Sequence, residues 1–126
     1  MPKETDRERL DLLDHILRDT ASNVVVFSRR AWHGSDEPND PGLHSLMPAD
    51  LTEREKGLRL KHALAAFIRD GGRPNRLDYT YEDRDPETIY EFRLRFCDRR
   101  VYVKTQLLGD DPDDPGLLIR SVKLQD

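Results

Sequence analysis

Six polar side chains near the end of the chain, Arg93, Arg95, Tyr102, Lys104, Gln106 and Lys123, stand in three runs in which polar and mostly apolar residues alternate. Alternation of this kind turns a strand's polar groups to one side, so the six fall on one face of a sheet. Arginine forks bind phosphate oxygens in pairs, and cations gathered on one face raise the local potential even in an acidic protein. A tyrosine and a lysine set among them are suited to moving protons near neutral pH. The face fits a phosphodiester, with Tyr102, Lys123 and Arg95 as the reacting groups and Arg93, Lys104 and Gln106 as contacts. On spacing alone it fits a solvated sheet face equally well.

Other chemistry has less support. The chain has no glycine-rich phosphate loop, no nucleophile elbow and no paired-cysteine spacing. His15, His33, His44 and His62 are isolated and offer no metal-ligand spacing. The acidic run around Asp110, Asp111, Asp113 and Asp114 lacks the closing glutamate and flanking helices of a calcium loop, so a solvated turn is expected.

The elements that must position the polar row lie in residues 88–124. Tyr90, Phe92, Leu94 and Phe96 alternate with Glu91, Arg93 and Arg95, and Val101, Val103 and Leu107 alternate with Tyr102, Lys104 and Gln106. With Asp98 and Arg99 as the turn, Phe96 is expected opposite Val101, Leu94 opposite Val103 and Tyr90 opposite Leu107. Arg95 then lies beside Tyr102, Arg93 beside Lys104, and Glu91 beside Gln106. Pairing Leu108 with Leu117 places Leu118, Val122 and Leu124 on the apolar row and Lys123 beside Tyr102. The same register forces Arg120 onto the apolar row, which is a flaw.

Upstream, residues 4–20 read as an amphipathic helix opened by a Thr5–Glu8 capping box, with Leu10, Leu13, Ile16 and Leu17 as its stripe. Residues 23–27 read as a short strand covered on both faces. Residues 28–49 have no periodicity, and Trp32, Leu43, Leu46 and Met47 suggest a long loop anchored on the body. A second helix is expected from Asp50, capped by Thr52 and Glu55 and stopped at Gly71 and Gly72. Residues 77–81 form a further strand candidate. The expected architecture is a single α+β domain over residues 1–126, with two helices packed on a twisted, mainly antiparallel sheet.

Charged residues make up 37% of the 126 positions and the net charge is −4, which excludes a uniformly basic nucleic-acid coat but not a local basic site. The lone cysteine, Cys97, cannot form an intrachain disulfide and fits a reducing compartment. The absence of a membrane-length apolar run and of a signal peptide makes a soluble cytoplasmic protein the expectation.

The stretches VYVKTQLL and LLIRSVKLQ resemble the closing strands of MqsR-type toxins of bacterial toxin–antitoxin systems, whose RelE-like fold also runs helix, strand, helix, strands. The resemblance implies a metal-independent ribonuclease without a cofactor, acting on messenger RNA and neutralised by a cognate antitoxin protein. It makes Tyr102 the active-site tyrosine of the V-Y-x-K strand, Lys104 the lysine of that motif, and Lys123 the lysine of the S-x-K strand. Where the family carries another lysine, in the strand after the second helix, this chain has Tyr81, so that cation is either missing or supplied by an arginine. The competing expectation is a non-catalytic immunity or regulatory module that binds a protein partner. A third is a small-ligand pocket closed by residues 28–49.

Overall fold

The computed structural model describes residues 2–18, 25–109 and 116–125. Among the described residues the chain is α+β, with four helices, α1 (Pro2–Arg18), α2 (Arg29–His33), α3 (Gly42–Leu46) and α4 (Glu53–Arg69). They are joined by five strands, β1 (Val25–Phe27), β2 (Asn75–Tyr79), β3 (Glu87–Phe96), β4 (Arg99–Gly109) and β5 (Gly116–Leu124). The strands form one open sheet in the order β1-β5-β4-β3-β2, parallel only between β1 and β5. No helix among the described residues is long and apolar enough to cross a membrane.

The helices share one face of the sheet because their apolar stripes and the strands' apolar row make a single cluster. Leu13, Ile16 and Leu17 of α1, Leu60 and Leu64 of α4, and Tyr90, Phe92, Val101, Val103, Ile119 and Val122 of the sheet are all buried there. Phe67 meets Phe92 edge to face at 5.8 Å, a favoured aromatic geometry. The α4 ends follow the sequence signals. Thr52 Oγ1 accepts from Glu55 N at 3.1 Å, Gly71 takes φ +94°, and Gly72 N donates to Phe67 O at 2.8 Å. Helix α1 begins at Pro2, before the expected start at Glu4, and a proline's fixed φ suits the first helical position; the side chain of Thr5 lies outside the described ones.

Residues 28–49, expected to be one long loop, contain α2 and α3. Each has five residues, too few to show a helical period. Ser28 starts α2, with its Oγ accepting from Ala31 N at 3.1 Å and donating to Arg120 O at 2.8 Å. The expected anchors do pack: Leu43 and Met47 are buried, and Trp32 stacks on Phe27 at 4.7 Å. Between the helices, buried Asp40 accepts from Arg30 Nε at 2.7 Å. The carbonyl of Asn39 accepts from Leu124 N at 2.7 Å, which seats this segment beside the end of β5.

The register of the β3–β4 hairpin differs from the expected one by two residues. The turn is Cys97–Asp98, both at positive φ (55° and 61°), as a primed two-residue hairpin turn requires. Leu94 therefore faces Val101, Arg93 faces Tyr102, Glu91 faces Lys104 and Ile89 faces Gln106. A shift of two preserves which side each residue faces, so the apolar row survives while every polar pairing changes.

The β4–β5 pairing brings Tyr102 beside Lys123 as expected, through two irregularities. Thr105 pairs with Ile119 and Lys104 with Ser121, leaving Arg120 as an extra residue in β5. That bulge removes Arg120 from the apolar row. It also places Leu117 and Ile119, not Leu118, in the core. Leu107, rather than Leu108, faces Leu117. Strand β1 is covered on one side only, since Val26 is 50% exposed. The acidic run 110–115 and the end of the expected first helix at 19–20 lie outside the described residues.

Candidate functional site

No helix among the described residues packs on the second face of the sheet, and the cationic row lies on it. The face is centred on Glu91, which accepts from Asn75 Nδ2 at 3.2 Å and, through its other oxygen, from the Tyr102 hydroxyl. Glu91 is the cross-strand neighbour of Lys104 and of Asn75. Tyr102 reaches it along the diagonal, a distance long aromatic side chains span. The guanidinium of Arg93 lies 5.2 Å from the centre of the Tyr102 ring, within cation–π range. Beyond Tyr102, Lys123 Nζ sits 3.4 Å from Glu37 Oε2, contributed by the segment between α2 and α3.

The sequence-expected residues divide into two groups. Arg93, Tyr102 and Lys104 flank Glu91 on β3 and β4, and Lys123 lies one strand further, beside Tyr102 on β5. Arg95 does not stand beside Tyr102: it is directly opposite Arg100, nearer the turn. Gln106 lies two residues toward the other end, between Ile89 and Leu118. Tyr81 is farther still. It follows β2 past the Tyr79–Glu87 pair, about 20 Å along β3 from Arg93 at roughly 3.4 Å per residue. There its ring is covered by Arg84 at 3.8 Å. The β2 residue that reaches the centre is Asn75.

Glu91 and Asn75 are the residues that sequence reasoning missed. Glu91 was visible as the acid alternating with Arg93 and Arg95, but the expected register set it beside Gln106. Its carboxylate can accept a proton, and the cations around it can hold an anion. Those are the two requirements of phosphodiester chemistry.

The other half of this face is apolar. Ile89 is fully buried although it stands apart from the helix-covered core, and the Arg120–Glu87 ion pair, at 3.2 Å, spans β4 near it. Val26, Tyr79 and Leu108 are 50%, 41% and 54% exposed. On the helix side, buried Lys56 contacts His44 Nδ1 at 3.0 Å while His44 Nε2 meets Glu53 at 3.2 Å and its ring stacks on Trp32. These groups fasten α3 to α4 on the far side of the sheet from Glu91. An open recess of about 550 Å³ lies along Arg29, Arg30 and residues 34–37.

Searches for relatives matched the chain to no family model, no curated protein and no solved structure.

Proposed function

We propose that this chain is an endoribonuclease of RelE/MqsR-like architecture, a toxin acting on messenger RNA in the cytoplasm and held in check by a cognate antitoxin. The observation that carries the reading is the Glu91–Tyr102 hydrogen bond set among Arg93, Lys104 and Lys123 on an open sheet face. An RNA strand laid across the face brings a ribose 2′-hydroxyl to Glu91. The hydroxyl proton passes to the carboxylate as the O2′–P bond forms. The P–O5′ bond breaks, and O5′ takes a proton from Lys123, giving a 2′,3′-cyclic phosphate and a free 5′-hydroxyl. Arg93 and Lys104 bind the phosphate oxygens and offset the charge that grows on them. Asn75 and Tyr102 hold Glu91 in place until substrate arrives. The Lys123–Glu37 pair has a 58% exposed carboxylate, and a contact of that kind is weak enough for a phosphate to displace. This chemistry uses only side chains and needs no metal. The test is RNA cleavage in EDTA by the wild type, Tyr102→Phe and Lys123→Ala; equal rates in all three would sink the assignment.

A second reading has its own observation. Val26, Tyr79 and Leu108 expose apolar surface on the same sheet, and a non-catalytic module would use such surface to bind a protein. Induction in cells separates the two, since the ribonuclease arrests growth and the module does not.

A further inference from the structure

The hairpin end of the open face carries a feature that the Glu91 chemistry does not use. Arg95 and Arg100 are direct cross-strand partners, and like charges placed so disfavour the sheet. Both are exposed, and among the described residues neither makes an ion pair. Together with Arg93, Leu94 and Gln125 they line a recess of about 190 Å³. Gln125 N donates to Arg100 O at 3.0 Å, which fixes Gln125 as one rim. Three arginines thus line one recess, and no acid is among the described residues that line it, an arrangement that an anion would relieve. Each can present paired N–H groups to a tetrahedral oxyanion.

Arg93 belongs both to this recess and to the ring around Glu91. Arg93 and Arg95 face the same way two residues apart, about 6.7 Å at the rise of an antiparallel strand. That is comparable to the separation of neighbouring phosphates in an extended single strand. We infer that the Arg93–Arg95–Arg100 recess binds the phosphate adjacent to the scissile one, so that the substrate is single-stranded RNA with at least two consecutive phosphates. The inference rests on the ribonuclease reading for the identity of the first phosphate. The recess extends from the centre in one direction only, so it also orients the strand: a phosphate on one side of the scissile bond is bound and one on the other is not.

The experiment is an NMR titration of the full chain with a 2′-deoxy dinucleotide, which cannot be cleaved by 2′-hydroxyl attack, either unmodified or phosphorylated at its 5′ or its 3′ end. One terminal phosphate, and not the other, is expected to tighten binding about tenfold, the equivalent of one charge-assisted contact. Arg100→Gln and Arg95→Gln, both at exposed positions that the fold does not depend on, are each expected to erase that gain. No gain from either phosphate, equal gains from both, or a gain that survives both substitutions overturns the recess. Cleavage of the corresponding ribo-dinucleotide tests the ribonuclease reading separately. Cleavage without a phosphate gain removes the recess alone, whereas a gain erased by Arg100→Gln without any cleavage keeps the recess and removes the ribonuclease.

Discussion

Replacing Asp40 with alanine tests whether the segment between α2 and α3 is tied down as the contacts indicate. The Asp40 carboxylate is fully buried and accepts from Arg30 Nε at 2.7 Å, while its second oxygen, Oδ1, has no partner among the described residues. A hydrogen bond between charged groups contributes about 1.5–3 kcal/mol. Two features reduce the net loss. Arg30 is 46% exposed and regains water when its partner is removed. Deleting the unsatisfied oxygen also relieves a desolvation cost on the order of 1 kcal/mol. The expected loss is about 1–2 kcal/mol. In urea, where the slope is about 1–3 kcal/mol per molar, the midpoint should fall by roughly half to one molar with the slope unchanged. The backbone turn should persist, because Ser35 N to Asp40 O and Asp40 N to Glu37 O need no side chain. Stability equal to the wild type would refute the Arg30–Asp40 anchor. A loss above about 4 kcal/mol would refute the exposure assigned to Arg30, since only an uncompensated buried charge costs that much.

Other substitutions probe the helix layer and the turn. Gly57 lies inside α4, and an added Cβ would meet the Phe27 ring at 3.4 Å, ordinary contact, so Gly57→Ala should stabilise by about 0.5–1 kcal/mol and raise the melting temperature by a few degrees. A fall would mean that Phe27 and Trp32 sit closer to the helix. Gly34 has φ +74° and its Cβ would overlap the Asp40 carbonyl, so Gly34→Ala should cost about 3 kcal/mol or more by urea unfolding. Partial burial pushes the Cys97 thiol above its ordinary value, with Arg59 opposing and Asp98 adding to the rise. Because the thiolate is the reactive form, iodoacetamide labelling should reach half its maximal rate at a higher pH than for a free thiol, and Arg59→Gln should move that pH further up.

The faces of β3 and β4 were legible in the sequence, and their register was not. Period-two patterning put Phe92, Val101 and Val103 on the buried side and Arg93, Tyr102 and Lys104 on the other. Moving the turn from 98–99 to 97–98 slides the register by two and leaves those sides untouched. Burial therefore cannot choose between the two hairpins, and the usual asparagine–glycine marker of a primed turn is absent. The whole polar constellation depended on that choice. Arg95 gave way to Arg93 beside Tyr102, and Glu91 moved next to Lys104. Arg120 on an apolar row was the one signal of the β5 bulge, because an extra residue is what turns such a side chain outward. The two short helices left no trace in the hydrophobic period, and α2 is set instead by Ser28 and by Trp32 stacking on Phe27. Asn75 became visible only once β2 was seen to begin two residues before Leu77.

The central proposal is that Glu91 takes a proton from a ribose 2′-hydroxyl on the open face of the sheet. The direct measurement is single-turnover cleavage of a single-stranded RNA in EDTA by the wild type and Glu91→Gln, with product ends identified and a substrate carrying 2′-deoxyribose at the cleavage position as control. The expected result is a 2′,3′-cyclic phosphate product, no cleavage of the deoxy substrate, and a rate lower by about 10²–10⁴ in Glu91→Gln, the range for loss of a general base. An equal rate in Glu91→Gln, cleavage of the deoxy substrate, or no cleavage by the wild type would contradict it.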